Sequence, residues 1–126
     1  IRTLMEKLNY VGTLALELFQ IDDASLANEF APRVHNSGHW TIEGSACSQF
    51  ENHIRAVAGL PLGDTTSIVP TLMLNVLSKH QNTLETLAKP NWHLHDYAKE
   101  ARENRKLGHI TITGDEAIQA YLTTRD

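Results

Sequence analysis

Ile21-Asp22-Asp23-Ala24 separates two runs of residues that read as extended chain, and this feature limits the fold more than any other. Paired aspartates are strong turn formers, so residues 11–20 and 25–31 are predicted to be the two strands of a hairpin. With Asp23 as the centre of symmetry, Glu17 falls directly opposite Glu29. Two carboxylates whose Cβ atoms stand about 5 Å apart repel each other. Glu17 is also isolated among Leu14, Ala15, Leu16, Leu18 and Phe19, where an unpaired charge is costly. A hard divalent cation such as magnesium would neutralise the pair through oxygen ligands, with Asn28 offering a further oxygen. A register shifted by one residue, or a glutamate paired with Arg33 or another base, would serve equally well at this point.

The hairpin runs into Asn28-Glu29-Phe30-Ala31-Pro32-Arg33-Val34-His35-Asn36-Ser37-Gly38-His39-Trp40, which joins a carboxylate, an arginine, two imidazoles and two amides with no apolar periodicity. A core strand would alternate, and an ordinary surface loop needs no charged pair flanked by histidines. The run is the composition of a site.

Elsewhere the pattern is mixed α+β. Thr3 and Glu6 suggest a capping box for a short helix over residues 3–9. Residues 44–58 are predicted to be a helix capped by Ser45, with Cys47, Phe50, Ile54 and Val57 on its core face and His53 off that stripe, at the surface. The Gly59–Asp64 segment ends it, and the domains are expected at 1–60 and 61–126. The second half reads strand (around Leu72 to Leu77), short helix (82–88), strand (Trp92–Tyr97), strand (Leu107–Thr113) and final helix. The last strand alternates Ile110 and Ile112 with His109, Thr111 and Thr113. Thr113 and Glu116 suggest a cap for the last helix, whose apolar face is Ile118, Tyr121 and Leu122.

Composition excludes several function classes. A formal charge of −4 over 126 residues gives no general nucleic-acid surface. The basic residues are local: Lys99, Arg102, Arg105 and Lys106 cluster in one stretch, which by itself fits a solvated loop as well as an anion site. The longest apolar stretch, Leu14 to Phe19, is broken by Glu17, so no membrane span is expected and a cytoplasmic location is. Cys47 is the one cysteine and forms no internal disulfide. Of the 7 histidines, His35 and His39 have helical spacing but sit around Asn36, Ser37 and Gly38, and no HExxH pattern exists. His93 and His95 share a strand face without a cysteine pair, which speaks against structural zinc. Ser37 lacks the GxSxG elbow, and neither a P-loop nor a dinucleotide fingerprint occurs. Ile1 is not an initiator residue, so a processed chain or a piece of a longer one is expected.

Ala15-Leu16-Glu17-Leu18-Phe19 followed by the Asn28–Thr41 run closely resembles the ATP-grasp enzymes that form N5-carboxyaminoimidazole ribonucleotide in purine biosynthesis. Ser48-Gln49-Phe50-Glu51, Gly59-Leu60-Pro61-Leu62-Gly63 and Arg105-Lys106-Leu107-Gly108-His109-Ile110-Thr111 follow in the family's order. The resemblance spans nearly the whole chain. It implies the carboxy-terminal part of an ATP-grasp lobe followed by a small strand-rich terminal domain, with the amino-terminal and lid domains of the same enzyme as absent partners. The isolated chain would then be inactive and bind ATP weakly.

The family reaction consumes 5-aminoimidazole ribonucleotide, bicarbonate and ATP through carboxyphosphate, with ATP and Mg2+ as cofactors. By resemblance, Glu17 and Glu29 are the metal ligands, and Asn28 and Glu29 meet the ATP phosphates. Arg33 and His35 hold bicarbonate and carboxyphosphate, Asn36, Ser37 and His39 shape that pocket, and Lys99 and Arg105 bind the ribonucleotide phosphate. Intact members of the family are commonly homodimers. A formate-dependent glycinamide ribonucleotide transformylase would share the carboxylate pair but not the HNSGHW run, and a non-catalytic binding module would be expected to lose opposed carboxylates. The chain departs from the family at Arg102-Glu103-Asn104-Arg105, usually Arg-Pro-Gly-Arg, and at Ala98, usually Gly. These changes are expected to alter the phosphate loop's turns.

Overall fold

The computed structural model describes residues 1–124 and divides into two compact units, Ile1–Thr66 and Ser67 onward. The Gly59–Thr66 segment belongs to the first unit because Ala46 N–H donates to the Thr66 carbonyl (2.9 Å) and the Ser45 hydroxyl reaches the Thr65 and Thr66 carbonyls.

The first unit begins with α1 (Arg2–Leu8), which ends where Asn9 turns left-handed (φ 48°). Its amino-terminal cap is Ile1 with no side-chain bond, so the Thr3–Glu6 capping box is not formed. β1 (Ala15–Ile21) and β2 (Ala24–Ala31) make the expected antiparallel hairpin. Its turn is centred between Asp22 and Asp23, not on Asp23, since Ile21 pairs with Ala24 and Asp22 carries the positive φ of 51°. That register, continued, would set Glu17 against Asn28. A bulge intervenes: Leu18 pairs with Ala27 but Glu17 with Glu29, leaving Asn28 as the extra residue. The expected Glu17–Glu29 pairing is present, produced by an offset turn and a compensating bulge.

A single turn of 3-10 helix (Asn36–Gly38) leads to α2 (Thr41–Gly44) and α3 (Gln49–Val57). The expected continuous helix over 44–58 is therefore broken. Ser45 is extended (φ −126°, ψ 150°) and closes α2 instead of opening a helix; Ser48 caps α3 by accepting from Glu51 N–H at 3.2 Å. Cys47 lies outside the helix, buried at 6% exposure. The Phe50, Ile54 and Val57 stripe is not core here, being 37%, 64% and 61% exposed. His53 is half-buried, with Nδ1 accepting from Thr13 N–H at 3.1 Å, so it ties down the strand entry and is not a free surface group.

The second unit holds a three-stranded antiparallel sheet in the order β3-β5-β4, with β3 Thr71–Leu77, β4 Trp92–Asp96 and β5 Lys106–Thr113. The element sequence is the expected one, with α4 (Thr83–Leu87) capped by Asn82 and α5 (Asp115–Thr123) following β5. Gly114, not Thr113, precedes α5, with no side-chain cap. The alternation in β5 would suit a half-buried strand. Instead both faces are covered: Leu107, Ile110 and Ile112 join Val76 in the core beneath Ala117, Ile118 and Tyr121 of α5. On the other face His109 stacks on His95 (4.3 Å) and meets the Tyr97 hydroxyl through Nδ1 (2.6 Å). Gly108 is required where β5 passes β4, since a Cβ there would collide with the His95 carbonyl oxygen. No helix among the described residues is long and apolar enough to cross a membrane.

Candidate active site

The bulge decides the geometry of the acidic cluster. On a regular strand Asn28 and Glu29 would point to opposite faces. Here Asn28 Nδ2 lies 3.3 Å from Glu17 Oε2, and Glu29, Glu17 and His35 each offer a ligand atom within 4.8 Å of the others. The extra residue thus re-aims two neighbouring side chains toward one point, a recurrent use of bulges beside sites. His35 enters from the loop after β2, with Nε2 3.1 Å from Glu17 Oε1. Its Nδ1 stands 2.9 Å from Ser37 Oγ and accepts from Ser37 N–H at 3.4 Å, so the ring's other nitrogen carries the proton toward Glu17. The result is two carboxylates of like charge, one amide and one imidazole, with Glu29 exposed and His35 largely covered.

Arg33 does not pair with either glutamate; its guanidinium is exposed and donates to the Val34 carbonyl at 3.1 Å. Like-charge repulsion between Glu17 and Glu29 is therefore left to Asn28 and His35. The donor set fits a hard divalent cation: two carboxylates on one side of a hairpin, with the Asn28 amide donating to Glu17 beside them. Asn36 and Ser37 form the 3-10 turn, with Ser37 on His35, while the His39 ring lies tilted against Phe50 at 5.1 Å. Gln49 was given no role by sequence reasoning, yet its side chain contacts both His35 and His39. The signal was its place in the Ser48-Gln49-Phe50-Glu51 segment.

Lys99 and Arg105 belong to the second unit. Ala98 and Asn104 have φ of 53° and 57°, the left-handed region where the family's glycines would be expected. Asn tolerates this conformation, Ala98 adopts it at a cost, and Asn104 N–H is held by Ser78 Oγ at 2.9 Å. Arg102 is neutralised by Glu100 at 2.7 Å. Lys99 and Lys106 both stand over the Tyr97 ring, at 5.2 and 5.7 Å. Burial and then the Lys99 charge hold the Lys106 ammonium below its usual range, and burial raises the Tyr97 phenol. His80 braces the loop between Asp96 (2.9 Å) and the Lys99 carbonyl (2.9 Å). Asp96 is held below the ordinary carboxylate range by the Ala98 N–H and, to a smaller degree, by His80.

Comparisons with known proteins agree on both units. The ATP-grasp domain family matches residues 1–50, and the phosphoribosylaminoimidazole carboxylase C-terminal domain family matches residues 71–121. The N5-carboxyaminoimidazole ribonucleotide synthase of Vibrio cholerae is 53% identical over 114 residues, which is 90% of this chain and 30% of that protein. A crystal structure of N5-carboxyaminoimidazole ribonucleotide synthetase from Thermus thermophilus superposes with a TM-score of 0.86 at 52% identity, covering 95% of this chain and 34% of the other. The Aspergillus clavatus N5-carboxyaminoimidazole synthase, solved with ADP and 5-aminoimidazole ribonucleotide, gives 0.77 at 36% identity, covering 90% and 35%. This chain spans about a third of the length of the relatives it matches, and it belongs to the N5-carboxyaminoimidazole ribonucleotide synthase family of ATP-grasp proteins.

Proposed function

We propose that this chain supplies the phosphate-side half of the active site of an ATP-dependent ligase that carboxylates 5-aminoimidazole ribonucleotide with bicarbonate. The observation that carries this reading is the Glu17–Glu29–His35 cluster assembled by the Asn28 bulge. Residues 1–60 would close an ATP-grasp domain and residues 61–126 would form the carboxy-terminal domain. Glu17 and Glu29 would hold magnesium, and Asn28 and Glu29 would face the ATP phosphates. Bound there, magnesium would neutralise phosphate charge as it is transferred. Arg33, exposed and without a carboxylate partner among the described residues, is free to swing onto bicarbonate and the carboxyphosphate formed from it. His35 would donate from Nε2 in the same pocket, with Asn36, Ser37 and His39 shaping it. Lys99 and Arg105 would grip the ribonucleotide phosphate as paired cations. The whole enzyme would complete the nucleotide site and act as a cytoplasmic homodimer.

The test is made on the full-length protein. Glu29→Gln is expected to abolish ATP hydrolysis that depends on 5-aminoimidazole ribonucleotide, and activity near the original level would refute the metal role. Arg105→Ala is expected to raise KM for the ribonucleotide far more than KM for ATP; equal increases would remove the phosphate assignment.

A further inference from the structure

Gln49 opens α3, well outside the Asn28–Trp40 run, yet its carboxamide meets that run three times. Oε1 accepts from the His35 N–H at 3.0 Å, Nε2 donates to the His35 carbonyl at 2.7 Å, and Nε2 also lies 2.7 Å from His39 Nδ1. A peptide N–H only donates, so it fixes which end of the amide is oxygen. The nitrogen end only donates as well, so His39 Nδ1 must accept and the ring must carry its proton on Nε2. One side chain therefore pins both peptide groups of one histidine and sets the tautomer of the next.

The surroundings keep this amide in place. Gly38 makes room for it, because a Cβ at that position would stand 2.6 Å from Oε1. The Gln49 backbone is held in turn: its N–H donates to Thr41 Oγ1 at 2.9 Å and its carbonyl accepts from Thr13 Oγ1 at 3.3 Å. From His35 the chain of bonds continues to Glu17. Gln49 is thus the point through which α3 and the hairpin's acidic pair are joined.

We propose that Gln49 is a positioning residue for this loop: it holds the His35 backbone from which the ring reaches Glu17, and it fixes His39 as the Nε2–H tautomer. The proposal rests on the reading of this loop as the bicarbonate and phosphate pocket. A glutamate at this position would accept at both ends, oppose the His35 carbonyl, and call for a proton on His39 Nδ1 instead.

The experiment is long-range proton–nitrogen NMR of the imidazoles in the 126-residue chain, above the ordinary histidine titration range. Both His35 and His39 are expected as Nε2–H tautomers in the unaltered chain, and Gln49→Glu is expected to move His39 to Nδ1–H. Gln49→Ala should raise the exchange rate of the His35 amide about tenfold or more, by removing its acceptor. An Nδ1–H tautomer of His39 in the unaltered chain overturns the proposal without any variant, and so does a tautomer unmoved in Gln49→Glu. Manganous ion added to the unaltered chain is expected to broaden Glu17 and Glu29 signals. Failure there would overturn the functional reading, while the tautomers would report separately on positioning.

Discussion

The β1–β2 hairpin and the β3-β5-β4 sheet are both antiparallel, yet they are built on opposite terms. The hairpin presents apolar side chains on both faces, with Leu18 53%, Phe19 54% and Leu26 57% exposed, and its one buried residue is Ala31. β5 is covered on both faces, Ile112 and Thr111 being fully buried. Two strands alone are marginally stable in water, whereas three with a helix across one face make a core. The opposed carboxylates sit on the pair of strands with no core of its own. Repulsion between Glu17 and Glu29 is tolerated there because solvent screens it and Asn28 and His35 both donate to Glu17, and a buried sheet would not allow it.

The largest test of that contrast is a pair of truncations followed by urea unfolding. Ile112→Ala is expected to cost about 2–5 kcal/mol, as for other fully buried aliphatics. Phe19→Ala should cost under about 1 kcal/mol, because half of the ring is already in water. Similar losses at the two sites would erase the distinction. Next in size, Glu29→Gln should weaken manganous or magnesium ion binding to the chain at least about tenfold, roughly 1.4 kcal/mol. The same change should strengthen the ion-free hairpin by a few tenths of a kcal/mol through loss of repulsion. Calorimetry and amide exchange read the two effects separately, and a hairpin weakened without metal would mean the carboxylates attract a partner other than a cation.

Ala98→Gly relieves a left-handed alanine and is expected to stabilise the second unit by up to about 1 kcal/mol, read as a rise in Tm. No change would show that glycine's greater freedom in the unfolded chain offsets the strain. The smallest effect is acidic. Asp96 is more acidic folded than unfolded, so its contribution is present above the ordinary aspartate range and is lost as pH falls through its lowered value. Asp96→Asn should flatten that part of the second unit's acid unfolding curve and leave the hairpin's exchange rates unchanged.

Much of this was legible before folding because it depends on neighbours in sequence. The Asp22-Asp23 turn, the strands on either side, the strand-helix order of the second half and the Asn28–Trp40 run follow from local conformational preference and motif. Misreadings arose where distant groups compete with local pattern. Cys47, Phe50, Ile54 and Val57 have helical spacing, but the Ser45 hydroxyl is drawn to the Thr65 and Thr66 carbonyls and the helix starts again only at Ser48. Thr113 has the sequence of a cap, yet Gly114 takes the position before α5 with a positive φ of 87°, and α5 packs on its own strand.

By itself the sequence determined that two glutamates would lie on the facing strands of a hairpin and that a histidine-rich loop would follow. Only tertiary structure decided that they meet through an Asn28 bulge, so that consecutive side chains serve one site. It also decided that Gln49, with no periodic or charge signal of its own, would hold the loop. Periodicity reports which face a residue takes on a regular element. A bulge, and a bond from one element to the backbone of another, depend on how separate pieces of chain fit, and no single stretch of sequence contains that information.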